Sequence, residues 1–226
     1  ELPQAMLEDM QQLQYDVLSL QARDLLEIFL PHLPESEAKE CLQQWDCRYT
    51  PDSVEATWFL KLYRNVMIEM MGNKNGIGWR RMLYLSSRAG YSTMVLTAAD
   101  RLLKKDQSSW WEGKSKAELI RRAAERLEKE SAQPWSDVNY FHFADRFFGS
   151  QQVGRLLGFK SRRYAMPGNH ATPFQGHVMQ TATRESTFAP SYHLVTDLGT
   201  DVAWTNLPGG PSESRFSRYY KNDLAR

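Results

Sequence analysis

A serine, a histidine and an aspartate that could form a nucleophilic catalytic site lie close together near the end of the sequence. They are Ser191, His193 and Asp197. On a β-strand alternate residues point to the same face, so these three side chains would share one face. No Gly-x-Ser-x-Gly elbow surrounds the serine, and such short separations along one strand seldom build a triad. The pattern therefore favours a polar strand face, and a self-contained hydrolase is the alternative.

Residue types that bind metals or phosphates do not fall into a diagnostic spacing. The five histidines, at positions 32, 142, 170, 177 and 193, form no His-Glu-x-x-His pattern. Gly149 and Gly154 have the spacing of a phosphate loop, but Arg155 and Leu156 stand where that loop requires lysine and serine or threonine. We therefore predict no metal, nucleotide or other cofactor site in this chain.

Aromatic and acidic side chains offer weaker possibilities. The adjacent Trp110 and Trp111 could line a groove for an apolar acyl group, but packing in the core or at an interface is favoured. Glu125 and Glu128 alternate with Lys and Arg on a predicted helix, which is typical of surface ion pairs. Neither pattern predicts a catalytic group.

The overall composition is that of an ordinary globular chain. Of its 226 residues, 42% are hydrophobic and 24% are charged, and the formal net charge is +1. So small a charge gives no field to attract nucleic acid or an anionic membrane, and the basic run Lys160 to Arg163 is expected to be a solvated loop. No run of about 18 apolar residues predicts a membrane span. Cys41 and Cys47 could form a local disulfide or remain unpaired.

The first half of the sequence is predicted to be helical. One helical face is expected to carry Met6, Met10, Leu13, Val17 and Leu20, which recur at intervals of three and four. Further helices are predicted over Leu25 to Leu33, Ser36 to Trp45, Thr50 to Met70, Leu96 to Lys104 and Ser115 to Leu127. In the helix that follows Thr50, the apolar stripe consists of Phe59, Leu62, Tyr63, Val66 and Met70.

In the second half, glycine and proline become frequent and short strands are predicted. The best strand candidates are His177 to Thr183, Tyr192 to Asp197 and Val202 to Leu207. Gly199 between the last two predicts a tight hairpin turn. The layout is α+β, with a helical part in residues 1–134 and a mixed part with a few antiparallel strands in residues 135–226.

Four segments carry motifs in a fixed order. They are Gln14 to Leu20 with Ala22 to Leu26, Trp45 to Ser53, Pro167 to Pro173 with Tyr192 to Leu198, and Leu207 to Ser214 ahead of Phe216 to Tyr220. In this order they resemble the large subunit of the penicillin acylase (penicillin amidase) family. The chain departs from the family pattern at Cys47 and Glu213, where glycine is usual, and at Arg218 and Tyr219, where Pro or Asp and His are common. Gly209 and Gly210 are expected to permit a backbone turn that side chains would block.

This resemblance implies a four-layer αββα fold and an N-terminal serine nucleophile whose own α-amine is the general base. Penicillins, other amides of apolar acids and acyl-homoserine lactones are the family's substrates. The family's serine and its oxyanion segment would lie upstream of Glu1, and both ends of the chain look cut. We therefore expect the C-terminal scaffold of the large subunit, inactive when isolated, and assign no catalytic, cofactor-binding or metal residue to this chain.

The resemblance also implies partners and a location. The expected partners are the remainder of the acylase precursor or its small subunit, with an acyl amide substrate in the full enzyme. A structural calcium ion is expected in the complete enzyme but not in this chain. The family is exported, so a periplasmic or secreted location is expected. A non-catalytic binding or interaction module is the alternative function.

Overall fold

The computed structural model describes residues 6–72, 78–86, 89–145, 147–149, 151–176, 189–190, 193–207, 209–212 and 214–225. The α-helices within these ranges are α1 (Leu7–Leu13), α2 (Leu20–Phe29), α3 (Glu37–Gln44), α4 (Glu55–Met71), α5 (Trp79–Ser86), α6 (Ala89–Leu103), α7 (Lys116–Leu127), α8 (Trp135–Val138) and α9 (Gln152–Leu156). The strands are β1 (Tyr140–Phe141), β2 (Tyr164–Ala165), β3 (His193–Thr196) and β4 (Ala203–Asn206). Short 3-10 helices cover Leu30–His32, Ser109–Trp111 and Asn222–Ala225. No helix in the described ranges has the length and apolar character needed to cross a membrane.

Helix α4 is the centre of the helical part, and its apolar stripe was predicted correctly. The five stripe residues, Phe59, Leu62, Tyr63, Val66 and Met70, are each at most 1% exposed. The helix begins at Glu55 rather than at Thr50, because residues 50–53 form a turn. The Ser53 hydroxyl accepts the Ala56 amide at 3.1 Å, so Ser53, and not the predicted Thr50, bonds to the first turn of the helix.

Helix α7 packs against α4 and was also predicted. The Ser115 hydroxyl accepts the amide of Glu118 at 3.2 Å, as the capping spacing indicates. Its buried face consists of Leu119, Ile120, Ala123, Ala124 and Leu127. Helix α5 was not predicted, and α6 begins earlier than expected, at Ala89.

The prediction of one continuous amphipathic helix at the start of the chain was wrong. Helix α1 ends at Leu13, and α2 begins only at Leu20. Of the five residues assigned to one face, only Val17 is buried; the exposed ones are Met6, Met10, Leu13 and Leu20.

The helix is interrupted where Asp16 and Ser19 make two local hydrogen bonds and one to a distant residue. The Asp16 carboxylate accepts from the Leu18 amide at 3.1 Å and from the Arg48 guanidinium at 2.8 Å. The Ser19 hydroxyl then accepts the Ala22 amide at 3.1 Å and caps a new helix. These contacts keep the segment between α1 and α2 out of a helix, although its apolar residues recur with helical spacing.

The predicted hairpin is present in the second half. β3 pairs antiparallel with β4, with Val195 opposite Trp204. In the turn, the Gly199 amide donates to the Asp197 carboxylate at 2.8 Å. β1 pairs antiparallel with β2. The strand predicted for His177 to Thr183 lies outside the described residues, as do residues 73–77 of the loop after α4. Helices and a few antiparallel strands give the predicted α+β class.

Cys41 and Cys47 are free thiols, and Cys47 occupies a strained backbone conformation. Its φ angle is +62°, in the left-handed region, and its side chain is buried. Glycine enters this region without steric cost. For other residues the cost is about 1–2 kcal/mol. The chain therefore departs from the penicillin acylase pattern at a position where the backbone itself favours glycine.

We expect the Cys47→Gly variant to be more stable than the Cys47→Ala variant by about 1 kcal/mol. Urea unfolding of the two variants measures this difference in the free energy of unfolding. Both variants lose the sulfur, so the comparison isolates the backbone. Ala123→Gly inside α7 is the matched control, with the opposite sign expected. An alanine variant as stable as the glycine variant would contradict the strain argument.

Candidate functional site

Three of the motif segments meet where the helical part joins the second half. The Tyr49 amide donates to the Val17 carbonyl at 3.0 Å, and the Gly168 amide donates to the Tyr49 carbonyl at 2.9 Å. The Phe174 amide donates to the Asp16 carbonyl at 2.8 Å. Backbone hydrogen bonds thus join segments that are far apart in the sequence into one junction.

Asn139 is the buried centre of this junction. Its side chain is 1% exposed, and Nδ2 donates to the Met166 carbonyl at 2.9 Å. The Gly168 and Gly176 carbonyls lie at 3.5 and 3.3 Å from the same atom, and Trp135 Nε1 donates to Gly168 at 3.1 Å. The Asn139 and Trp135 side chains thus donate hydrogen bonds to loop carbonyls that are not paired with a strand. A single asparagine carries no sequence signal of this role, so the sequence did not reveal it.

Residues 167–173, named here the 167–173 loop, are held by their own side chains. The Asn169 amide donates to Thr172 Oγ1 at 2.9 Å, and the Ala171 amide donates to Asn169 Oδ1 at 2.7 Å. Gly168 has φ +73°, and a Cβ there would lie 2.0 Å from the Phe174 carbonyl oxygen. The glycine of this motif is therefore required by a close backbone approach.

Tyr49 packs inside the same junction. Burial raises the pKa of its phenol well above the ordinary value, and a hydrogen bond with Asn169 only partly opposes this. Its ring meets Trp135 edge-on at 5.0 Å and Trp45 edge-on at 5.2 Å. The hydroxyl stays protonated at neutral pH, so Tyr49 packs as a neutral ring and is not a general base.

An apolar cleft of about 430 Å³ lies beside this junction. Its walls include Tyr15, Phe141, Met166, Phe174 and Leu207. Among the described residues, no serine, cysteine, histidine or lysine lines it. The cleft can therefore accommodate apolar groups. Its described walls also carry the Thr50 hydroxyl and the Asp223 carboxylate, which accepts the Leu207 amide at 3.2 Å.

The candidate triad is not assembled in the described part of the chain. Ser191 lies outside the described residues. His193 packs edge-on against Tyr15 and Phe174, with ring centroids 6.3 and 5.9 Å apart, and burial lowers its pKa. Asp197 closes the hairpin turn by accepting the Gly199 amide. His193 is thus a packed neutral ring at neutral pH rather than a base held by this aspartate.

The remaining histidines occupy separate elements. His32 ends a 3-10 helix, His142 Nδ1 lies 3.1 Å from the Ser161 carbonyl, and His170 lies in the 167–173 loop. His177 is outside the described residues. In the described ranges, no three His, Cys, Asp or Glu side chains are grouped so that they could hold a metal ion.

Asp100 is a half-buried carboxylate between α2, α4 and α6. Burial raises the pKa of its carboxyl, while hydrogen bonds from Tyr63 and Gln21 and the charge of Lys104 oppose the shift. Gln21 Nε2 donates to Asp100 at 2.6 Å. A raised pKa is common in active sites, but here the carboxylate joins three helices, which is a structural role.

Several sequence features receive a structural explanation. Trp111 is 1% exposed and belongs to the core, so the two tryptophans do not line a groove together. A Cβ at Gly154 would lie 1.8 Å from the Phe148 carbonyl oxygen, so this glycine permits tight packing. Glu125 and Glu128 are exposed, as expected of a helix surface.

The basic run at residues 160–163 was predicted to be a solvated loop, and residues 161–163 form a loop in which Arg162 and Arg163 are exposed. The Arg163 guanidinium lies 4.0 Å from the centroid of the Tyr140 ring, and that of Arg162 lies 5.2 Å from the Tyr164 ring. Arg163 also lies 3.4 Å from the Asp137 carboxylate. Both arginines thus make cation–π contacts with tyrosines of the β1–β2 pair while remaining exposed.

The glycine pair at residues 209–210 makes the turn that was predicted. Gly209 has φ +109°, and a Cβ there would lie 2.5 Å from the Phe143 ring. A Cβ at Gly210 would lie 2.1 Å from the Tyr219 carbonyl oxygen. The turn therefore packs its bare backbone against Phe143 on one side and the following segment on the other.

Comparison with known proteins agrees with the motifs. The family model described as penicillin amidase matches residues 2–226. No curated protein matches the chain.

Proposed function

Since the chain belongs to the penicillin amidase family over residues 2–226, we propose that it is the C-terminal scaffold of the large subunit of an acylase-type hydrolase. The enzyme hydrolyses amide bonds of acylated substrates, namely penicillins, other N-acyl amides or acyl-homoserine lactones. The nucleophile is a serine that the remainder of the enzyme supplies, with its own α-amine as the general base.

The observation that carries this proposal is the exposed apolar surface of the second half. Among the described residues, twelve large hydrophobic side chains between positions 147 and 219 are at least 41% exposed, against six in the longer helical part. They include Leu156 at 88%, Leu198 at 97% and Phe216 at 93%. An interface with another polypeptide would cover such exposed apolar side chains. The occupant that we propose is the remainder of the acylase.

The β3–β4 hairpin supports the same partner. A two-stranded sheet is marginal by itself, and within the described residues no further strand pairs with either strand. Unpaired strand edges readily accept additional strands. We propose that strands of the remaining enzyme pair here and complete an αββα fold, with residues 1–134 as its helical flank and residues 135–226 as the strand-containing part.

The complete enzyme is proposed to contain a structural calcium ion held outside this chain and to act in the periplasm or outside the cell. Both proposals follow from the family. The alternative function, a binding module using Trp110 and Trp111, is disfavoured because Trp111 is buried in the core.

We expect the purified chain alone to show no hydrolysis of a chromogenic phenylacetyl anilide, and hydrolysis to appear when the serine-bearing remainder of the same precursor is co-expressed with it. Trp204→Glu should reduce complex formation at least tenfold in a pull-down, because a charge would be buried at the interface. Met94→Glu is the matched control, since Met94 is 69% exposed on the helical part, outside the proposed interface.

Turnover by the chain alone that a serine-directed inhibitor blocks would overturn the scaffold assignment, and Ser191 would then be the first residue to mutate. If the Trp204→Glu and Met94→Glu variants bind the remainder of the enzyme equally well, the proposed interface is wrong. The family membership would not be affected.

A further inference from the structure

A second cleft, of about 400 Å³, is lined by cations near the end of the chain. Arg215, Arg218 and Lys221 line it together with the hydroxyl-bearing Ser217. Its described lining includes no aspartate or glutamate. The position is separate from the apolar cleft beside Asn139, and the scaffold function makes no use of it.

Gly158 forms the wall that brings two of these cations together. It has φ +78°, and a Cβ built on it would lie 3.1 Å from Arg215 Nη2, so the guanidinium lies directly against the glycine. Lys221 Nζ donates to the Gly158 carbonyl at 3.0 Å. The Arg215 guanidinium also lies 5.3 Å from the centroid of the Phe159 ring. Arg215 and Lys221 are therefore positioned by packing before any ligand binds.

Within the part of the chain that the structure describes, no carboxylate forms an ion pair with the cations of the cleft. Other cations of the chain pair with acids, as Arg126 does with Glu69, but none of the ion pairs in the described ranges involves Arg215, Arg218 or Lys221. Asp145, a carboxylate near this region, accepts two backbone amides at 2.8 Å and does not line the cleft. Like charges held close together are unfavourable unless an anion is bound between them.

We propose that this cleft binds an organic oxyanion with two negative charges, and that a phosphate monoester is its best-matched ligand. Guanidinium groups bind phosphate oxygens in a bidentate manner, and lysine adds a point charge. The volume equals more than a dozen waters at about 30 Å³ each, so it admits an organic group beside the phosphoryl group. Tyr220 provides an aromatic wall for that group. Arg218 departs from the penicillin acylase pattern, so the site belongs to this chain rather than to the family.

The test is titration of phenyl phosphate into the full 226-residue chain, followed by calorimetry. We expect saturable binding with a Kd in the millimolar range or tighter, weakening as salt is added. Arg215→Gln and Arg218→Gln should each raise Kd about tenfold. Arg121→Gln, which removes the same charge from the exposed surface of α7, should leave Kd unchanged.

Circular dichroism establishes that each variant is folded before binding is compared. No saturable binding by the wild-type chain, or equal Kd values for folded Arg215→Gln, Arg218→Gln and wild type, would overturn the proposal. Inorganic phosphate is titrated in parallel. Tighter binding of phenyl phosphate supports an organic ligand, whereas equal binding of the two overturns that part of the proposal and assigns the cleft to free phosphate.

Discussion

Replacing Asn139 with aspartate is expected to lower the free energy of unfolding by about 4 kcal/mol at neutral pH, because it places an unpaired charge in the buried junction. The two side chains have nearly the same shape, so no cavity forms. The wild-type Nδ2 faces the carbonyls of Met166, Gly168 and Gly176. A carboxylate in that position would lose the donated hydrogen bonds and repel the same oxygens.

The loss at position 139 should depend on pH in a defined direction. Burial and the facing carbonyl oxygens would raise the pKa of the new carboxyl above its unfolded value of about 3.9. A group whose folded pKa is raised stabilises the fold below the unfolded pKa and loses that contribution as pH rises through the folded pKa. The Asn139→Asp variant should therefore recover stability relative to wild type as pH falls towards 4.

Urea unfolding at several pH values measures this effect. Gln133→Glu, which also replaces an amide by an acid but at an exposed position, should change stability by no more than about 0.5 kcal/mol. A pH-independent difference between Asn139→Asp and wild type would mean that the loss comes from the missing Nδ2 hydrogen bonds and not from a buried charge.

The junction around Asn139 gives a physical reason for the motifs that resemble penicillin acylases. The turn around Cys47 requires a left-handed residue, and the 167–173 loop requires Gly168 because its backbone approaches Phe174 closely. Both segments are bonded to each other through Tyr49. Motifs that are separate in the sequence thus form one structural unit, and this unit attaches the second half to the helices.

The parts of the fold that local chemistry controls could be predicted from the sequence. The α4 stripe is buried because five apolar residues recur on one face, and Ser115 caps α7 through its own hydroxyl. The β3–β4 hairpin follows from alternating strand residues around Gly199. In each case the determining contacts lie within one element or its immediate neighbour.

Features that depend on distant residues could not be predicted in this way. The first helix is interrupted where Asp16 bonds to Arg48 and Phe174, and no local pattern records those partners. Asn139 becomes important only when the loop containing Met166 and Gly168 is folded against it. The cationic cleft similarly requires Gly158 to meet Arg215, which lies far along the sequence.

Glu130 joins the segment after α7 to α4 through a partly buried cluster. Its carboxylate pairs with Arg64, lies 3.3 Å from Lys61 Nζ and accepts Asn65 Nδ2 at 3.3 Å. The side chains of Lys61, Arg64 and Glu130 are 17%, 15% and 22% exposed. Burial acts to raise the pKa of Glu130, but Arg64, Asn65 and Lys61 outweigh it, so the pKa lies below its ordinary value.

Glu130→Gln is therefore expected to lower the free energy of unfolding by about 2 kcal/mol at neutral pH, because two half-buried cations lose their anion. A group whose folded pKa is lowered contributes stability above its unfolded pKa, about 4.3 for glutamate, and loses it as pH falls through the folded pKa. The stability difference between wild type and variant should thus shrink below about pH 4, because wild type loses its ion pairs there. For Asn139→Asp the difference also shrinks in acid, but because the variant regains stability. Glu125→Gln, at an exposed position on α7, is the matched control and should change stability by less than about 0.5 kcal/mol at either pH. A Glu130→Gln loss that stays constant from neutral to acid pH would mean that the ion pairs with Arg64 and Lys61 contribute nothing, and that only packing at the end of α7 is disturbed.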